Sequence, residues 1–355
     1  MSIPTEAIGS IPRPAGLLQA MQDYATGKVS LEALEAAQTK ALRDTIESLE
    51  ATGSPILSDG EQTKPSFATY PIHGAANLAP DGVVIPFADG HTRQLPRLTG
   101  GPFRYRTYAA AYVRAARRYT SRPLKQAVIS ASALSLLYPQ SEISGFSREQ
   151  FLSQLLDEAE KDIRGCLDAG AAAVQVDFTE GRLALKLDPS SGLLRQFVAI
   201  NNRVFDRFSS QELSRIGVHT CPGGDHDSTH SAGVDYAGLL PLLFQMRAGN
   251  FYVQLASEPD RGRVLGLIRQ YARPEQRIFV GVIDPINPRV EPAQEVCDRV
   301  LEAAKYLPLE RLGATDDCGF SPFSDDVSTA RETAFQKIAA RVAGVKLAEQ
   351  RLGAA

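Results

Sequence analysis

The chain contains no tryptophan and only four cysteines among 355 residues. No site in it can rest on an indole, and so few cysteines do not make a disulfide scaffold. No apolar run approaches the roughly 18 residues that a membrane-crossing helix needs. The N-terminus, MSIPTEAIGSIPRP, has neither a basic n-region nor an apolar h-region, so no secretory leader is expected and a reduced, cytoplasmic setting is the default. Neither sign of charge dominates. Against 38 Lys and Arg stand 41 Asp and Glu, a net charge of -3, which gives no reason to expect nucleic acid or an acidic membrane surface as partner. Linker-like, low-complexity and repeated segments are missing too, and no Gly-x-Gly-x-x-Gly follows a strand, so a Rossmann reading lacks its phosphate loop.

What is present is an alternation. Short β-branched runs at 7–8, 55–58, 126–130, 172–177, 215–219, 251–255, 277–282 and 311–314 read as strands. Amphipathic stretches at 31–51, 148–169, 193–208, 236–247, 262–271, 292–306 and 326–352 read as helices; Phe151, Leu155, Ala159 and Ile163 show the spacing. Strand–helix alternation argues for a parallel sheet, and eight strands argue for its closure into an α/β (β/α)₈ TIM barrel, one domain over residues 1–355, with a doubly wound open sheet as the alternative. The Pro-, Gly-, Arg- and Tyr-rich stretch from about 74 to 120 breaks the rhythm. It reads as an insertion over one barrel end, with a β-hairpin around 83–94.

Polar residues cluster where strands end, the face on which barrels carry their chemistry. His219-Thr220-Cys221 places an imidazole and a thiol on one side of an extended segment, because side chains alternate with period two. Cys318 sits in a similar strand-end turn. Two thiolates and an imidazole suit zinc and leave one position for water, another ligand or a substrate. A single His-x-Cys is equally readable as a packed cysteine beside a satisfied histidine; the matching context of Cys318 tips the reading toward metal. Cys166 and Cys297 fall inside helical patterns and read as packing. Asp177 ends a buried-strand pattern and delivers a carboxylate to the rim, unless it serves as a helix cap. Glu61, after Asp59-Gly60, is a candidate to bind a cation or take a proton. His226 and His230 follow the metal pair as further ligands, proton carriers or surface residues.

At these residues the chain resembles the cobalamin-independent methionine synthase superfamily, specifically its zinc-bearing barrel. The matching segments are Ile8-Gly9-Ser10-Ile11-Pro12, Asp59-Gly60-Glu61, Gln175-Val176-Asp177, His219-Thr220-Cys221 and Asp317-Cys318-Gly319, in order along essentially the whole chain. The resemblance implies Ser10, Glu61 and Asp177 as substrate-binding residues. Three departures bear on substrate. Gln254 stands where methionine synthases place a zinc-binding Glu, and is a candidate uncharged ligand. Ile286 stands where they carry a His for proton transfer. A Trp associated with the folate region has no counterpart. The stretches from His219 to Asp225 and from Asp316 to Phe323 are more similar to the epoxyalkane:coenzyme M transferase branch.

The implied activity is a zinc-dependent thiol S-alkyl transfer, in which zinc lowers the pKa of a small-molecule thiol and the thiolate attacks an electrophilic alkyl donor, either an epoxide or an activated methyl group. Methyl transfer to homocysteine is the alternative within that class. Tyr70, His73 or His230 would supply a proton to an epoxide-derived alkoxide, with Asp177, Glu61 and His230 as the catalytic set. Lys64 and Arg182 would face a sulfonate. A zinc hydrolase and a purely structural zinc are the readings from other classes. A homo-oligomer is compatible with all of them.

Overall fold

The computed structural model describes residues 2–353. Seven parallel strands build one curled sheet: β1 (Thr5–Glu6), β2 (Lys125–Ile129), β3 (Ala173–Asp177), β4 (Ile216–Thr220), β5 (Asn250–Val253), β6 (Arg277–Ile283) and β7 (Leu312–Asp316). Their spatial order is β1-β7-β6-β5-β4-β3-β2. The interior strands are buried on both faces, which is why their sequences read as near-continuous apolar runs rather than alternating ones. Leu57 adds an eighth position beside β2. It bridges Leu124 in parallel, its amide bonds the Pro123 carbonyl at 2.9 Å, and its carbonyl accepts the Lys125 amide at 2.7 Å. At the rim, Ser58 Oγ donates to the Gly9 carbonyl at 3.0 Å and the Ile11 amide to the Gly60 carbonyl at 3.0 Å. These bonds tie that eighth segment to the chain leaving β1. The architecture is an α/β TIM-barrel-like fold, as the alternation implied.

Two strand expectations shift. The first strand is Thr5–Glu6, paired with Ala314 and Thr315, whereas Ala7 and Ile8 are buried beyond the ladder. The segment at 55–58 keeps a single bridge, Leu57 to Leu124, and Pro55 has no amide to give to a longer ladder.

The longest helices lie close to where the periodicity placed them: Leu31–Ala51, Arg148–Asp168 and Arg331–Arg351. Ser147 and Gln150 close a capping box at the second of these, satisfying two orphan donors. Five helices had not been read from the sequence: Ala15–Ala25, Ala110–Ala116, Ala131–Ser135, Glu180–Leu187 and Ser210–Leu213. Of these, Ala110–Ala116 packs on Arg148–Asp168 and so joins the helical ring; the tail of the 74–120 stretch is barrel, not cover.

The rest of that stretch forms two antiparallel ribbons, Leu78–Ala79 with Arg97–Leu98 and Val84–Pro86 with Thr92–Gln94. The second is fastened to the loop after β4 and to a loop after β7. Arg93 Nε lies 2.5 Å from Asp225 Oδ2 and Arg93 Nη2 lies 2.8 Å from Asp325 Oδ1. His91 Nε2 meets Asp225 Oδ2 at 3.0 Å, and the Ala88 amide bonds the Thr229 carbonyl at 3.0 Å. Among the described residues no helix is long and apolar enough to cross a membrane.

Candidate metal centre

His219 and Cys221 leave the end of β4 and Cys318 lies two residues past β7. Their ligand atoms all fall within 4.8 Å of one another. The two sulfurs are 3.2 Å apart, far longer than the roughly 2.05 Å of a disulfide. His219 Nδ1 sits 3.2 Å from Asp177 Oδ1, at the end of the neighbouring strand β3. A carboxylate on one imidazole nitrogen fixes the tautomer and aims the other nitrogen at a metal, the usual support of a ligating histidine. Burial pulls the imidazole pKa down, but Asp177 and the neighbouring thiol outweigh it and the net direction is up. The hydrogen bond with Cys221, followed by burial, holds the Cys318 thiol well above its ordinary range. A divalent cation among these groups turns both thiols into thiolates, so the donor set fits a thiophilic ion such as zinc.

The backbone around the trio is built for close approach. Gly223 has φ +73°, and a Cβ there would lie 1.8 Å from His230 Nε2. On β6, a Cβ at Gly281 would lie 1.8 Å from Asp317 Oδ1. Asp317 uses that space to accept the amides of Leu255, Ala256 and Ser257, each at 2.8 Å, and the Ser257 hydroxyl at 2.7 Å. It therefore locks the turn after β5 next to Cys318. Burial pushes its carboxyl up to about 6 against those bonds.

A narrow cavity reaches Cys318, bordered by Ser10, Glu61, Asp177 and His219. No Lys or Arg lines it among the described residues. Glu61 is buried in the left-handed region at φ 56°, where the Asp59 side chain receives its amide at 3.1 Å. Burial raises its carboxyl, opposed by Lys64 and reinforced by Asp177. Glu61 Oε2 and one oxygen of Asp59 are buried without a partner. Ser10 Oγ accepts the Ser321 amide at 3.1 Å, so the Ile-Gly-Ser turn is tied to the segment after Cys318. Sequence reasoning missed Arg13, which is buried and binds the carbonyls of Glu61 and Lys64 at 2.8 Å and of Phe323 at 3.1 Å. A proline-flanked arginine near the N-terminus gives no hint that it will staple two rim loops.

The other expected residues are placed elsewhere. Lys64 turns from the cavity to Glu61 Oε1 at 3.1 Å and the Ala127 carbonyl at 2.8 Å. Arg182 is spent on Gln254 Oε1 at 2.7 Å, Glu258 at 2.9 Å and two carbonyls. Gln254 is thus held by Arg182 and by the Tyr236 hydroxyl at 3.1 Å, which occupies the oxygen that a metal would need. Ile286 borders a separate cavity of about 300 Å³ on the Gln254 side of Cys318. Tyr70 donates its hydroxyl to Asp162, and His73 is exposed. His226 lies by Arg93 and Asp326. Cys166 and Cys297 are buried among apolar residues.

His230 is brought to the rim, but on a second, larger cavity of about 370 Å³ that shares Phe67, Thr179, Gly223 and Gly224 with the narrow one. Its walls are mostly apolar: Ile85, Phe87 and Leu95 from the hairpin region, with Leu136, Leu183 and Phe323. Burial pulls the His230 imidazole down to about 4, helped by Lys186 and Arg182. It is therefore neutral at physiological pH.

A TIM-like barrel with an imidazole and two thiols gathered over its C-terminal rim, next to ligand-sized cavities, defines a class of barrel proteins with candidate metal ligands beside a cavity of small-molecule size. Within that class the chain matches the model described as "Cobalamin-independent synthase, Catalytic domain" over residues 3–340, and it belongs to that family. It is 26% identical over 322 residues to a 5-methyltetrahydropteroyltriglutamate–homocysteine methyltransferase of Nitratidesulfovibrio vulgaris, covering 90% of this chain and 39% of that protein. To a methionine synthase of Saccharolobus solfataricus it is 20% identical over 350 residues, covering 99% of this chain and 96% of the other. The chain thus spans about two fifths of the longer relatives and nearly all of the shorter one. A solved B12-independent methionine synthase from Shewanella sp. W3-18-1 superposes with a TM-score of 0.77 at 21% identity, covering 100% of both chains. Of these three proteins, one is named for homocysteine methyl transfer and two as methionine synthases.

Proposed function

We propose that the protein transfers a methyl group to the thiol of homocysteine, with zinc held by His219, Cys221 and Cys318. The single observation that carries this reading is the acidic character of the cavity at Cys318. Glu61 and Asp177 border it, Lys64 engages only Oε1 of Glu61 and leaves Oε2 without a partner, and among the described residues no Lys or Arg lines the cavity. Such a pocket attracts the ammonium of an amino-acid thiol and repels a sulfonate. The expected sulfonate readers, Lys64 and Arg182, are both committed to internal carboxylates. Further support comes from the family's name and from the Shewanella neighbour, which was solved with selenomethionine, an amino acid of the product class.

Zinc held by His219, Cys221 and Cys318 would supply Lewis-acid stabilisation of the substrate thiolate at neutral pH. Asp177 orients the imidazole of His219 and, with Glu61, offers carboxylate oxygens to the substrate amine. Ser10 borders the same cavity and fixes the loop that follows Cys318. Phe67 and Pro322 supply apolar walls that keep water from the sulfur. Epoxide opening stays as the second reading, favoured by the apolar walls of the larger cavity.

Zinc-edge X-ray absorption on the zinc-loaded chain, with homocysteine and with 2-mercaptoethanesulfonate, separates the readings. An additional sulfur neighbour is expected with homocysteine. Its appearance only with the sulfonate thiol would overturn the amino-acid assignment, and full activity of metal-free protein would overturn the zinc mechanism.

A further inference from the structure

One buried acid on the larger cavity has no part in the scheme above. The helix Glu180–Leu187 begins three residues after Asp177, at the end of β3. Glu180 is its first residue and borders the cavity beside Ile129, Ala133 and Leu183. Only 5% of it is exposed. Its Oε1 accepts the hydroxyls of Ser130, at 2.5 Å, and of Ser132. Asn201 Nδ2 holds the Ser132 oxygen at 2.7 Å, so that hydroxyl is aimed at the carboxyl. Oε2 is buried and has no hydrogen-bond partner.

Among the described residues no cation pairs with this group. On its own helix, Arg182 turns to Gln254 and Glu258, and Lys186 donates to the His230 carbonyl at 2.7 Å. The segment 130–135 contributes only hydroxyls. From β3 comes Asp177, a like charge, and the loop after β4 brings His230, which is neutral. Burial pushes the Glu180 carboxyl up to about 7, the two serines pull it down, and Asp177 adds to the rise. A carboxyl poised near neutrality is the kind that can give a proton at working pH. The alternatives are not placed for this: His230 is unprotonated, Tyr70 donates to Asp162 and His73 is exposed, and neither of the last two lines the cavity.

We propose that Glu180 is the general acid of the alkyl-donor cavity and protonates the heteroatom that leaves the transferred carbon. This rests on the thiol S-alkylation reading. The thiolate lone pair forms the new S–C bond. The bond from carbon to the leaving heteroatom breaks, and its electron pair goes to the heteroatom. That atom takes the proton from Glu180 Oε2. Glu180 is left as a carboxylate held by the Ser130 and Ser132 hydroxyls, and it regains from solvent the proton that the thiol released on binding. The same acid serves a ring nitrogen of a pterin or the oxygen of an epoxide, because both leave with a lone pair that must be protonated.

The test compares alkyl donors that differ in their need for a proton. Zinc-loaded wild type and Glu180→Gln are given homocysteine with iodomethane, with methyltetrahydrofolate or with propylene oxide. Iodide departs without a proton. The amide is isosteric and keeps an oxygen for both serine hydroxyls. Loss of a general acid is expected to lower the rate by about 100-fold or more with whichever proton-demanding donor wild type uses, and the iodomethane rate by less than about threefold. The wild-type rate with that donor should fall as pH rises through about 7, and this limb should vanish in the variant. An equal loss with iodomethane would make Glu180 a merely structural residue and overturn the proposal. Survival of the proton-demanding rate would overturn it as well, as would a wild type that uses iodomethane but neither other donor. If zinc-loaded wild type fails to accelerate even the iodomethane reaction, the thiol-activation reading itself falls and takes this proposal with it.

Discussion

The two cavities that meet beside Gly223 and Gly224 differ in how they treat charge. The narrow one at Cys318 presents two carboxylates, Glu61 and Asp177, beside apolar walls that include Ile8, Phe67 and Pro322. The larger one presents a neutral imidazole and a carboxyl near its own pKa among aliphatic and aromatic side chains. Its one arginine, Arg93, is already shared between Asp225 and Asp325. The difference suits a nucleophile with a fixed positive handle on one side and an uncharged electrophile on the other. It also keeps free cations away from the thiolate, where they would stabilise the ground state and dull the nucleophile.

The sharpest way to break this contrast is to remove its shared centre. Cys318→Ser should abolish zinc binding and lower thiol alkylation by more than about 100-fold, since loss of a mere supporting group already costs 10–100-fold in metal affinity. Zinc content and turnover measure it; retention of both would sink the metal assignment. Next is the acidic side. Glu61→Gln should reduce the preference for homocysteine over mercaptobutyrate, which lacks the amino group, by about tenfold, the worth of one charge-assisted hydrogen bond. Equal loss of both thiols would show that Glu61 only holds the loop.

The neutral side can be sharpened through stability. The folded Glu180 carboxyl lies near 7 while the unfolded one lies near its ordinary 4.5. Between these values the folded state binds the extra proton, so stability falls as pH rises and the loss is complete above about 7. Glu180→Gln removes that loss. Its unfolding free energy relative to wild type should therefore be higher at pH 8 than at pH 4, by up to about 3 kcal/mol, as read from denaturant titrations. A pH-independent offset would mean that Glu180 is ionised in the fold. The smallest effect is expected at the hairpin. Arg93→Ala should cost about 1 kcal/mol, because Arg93 and Asp325 are partly exposed and His91 still pairs the buried Asp225, and should raise amide exchange in residues 83–95. Unchanged exchange would show that Ala88 and His91 hold the hairpin without it.

Much of the centre was legible in the chain. A His-x-Cys after a buried strand and an Asp-Cys-Gly after another put three candidate ligands on one rim, because every parallel strand of a barrel ends on the same face. Glu180 was not legible. It opens an eight-residue helix too short to show a period, and an acid there reads as a solvated helix start until Ser130 and Ser132, about 50 positions earlier, are seen to enclose it. Lys64 and Arg182 misled for a related reason. A lysine or arginine in a rim loop reads as a free cation, yet Lys64 is spent on a carboxylate three residues away and Arg182 on one 76 residues away. Gln254 sits where a ligand was expected but meets Arg182 first.

The sequence by itself determined the alternation of strand and helix and the residues that can bind a soft metal, because both depend on local pattern and on side-chain chemistry carried at strand ends. Only the tertiary structure decided which charges are free and which are cancelled, and which acid keeps its proton. Those outcomes depend on desolvation and on partners met through space, and neither is written in the neighbourhood of any one residue.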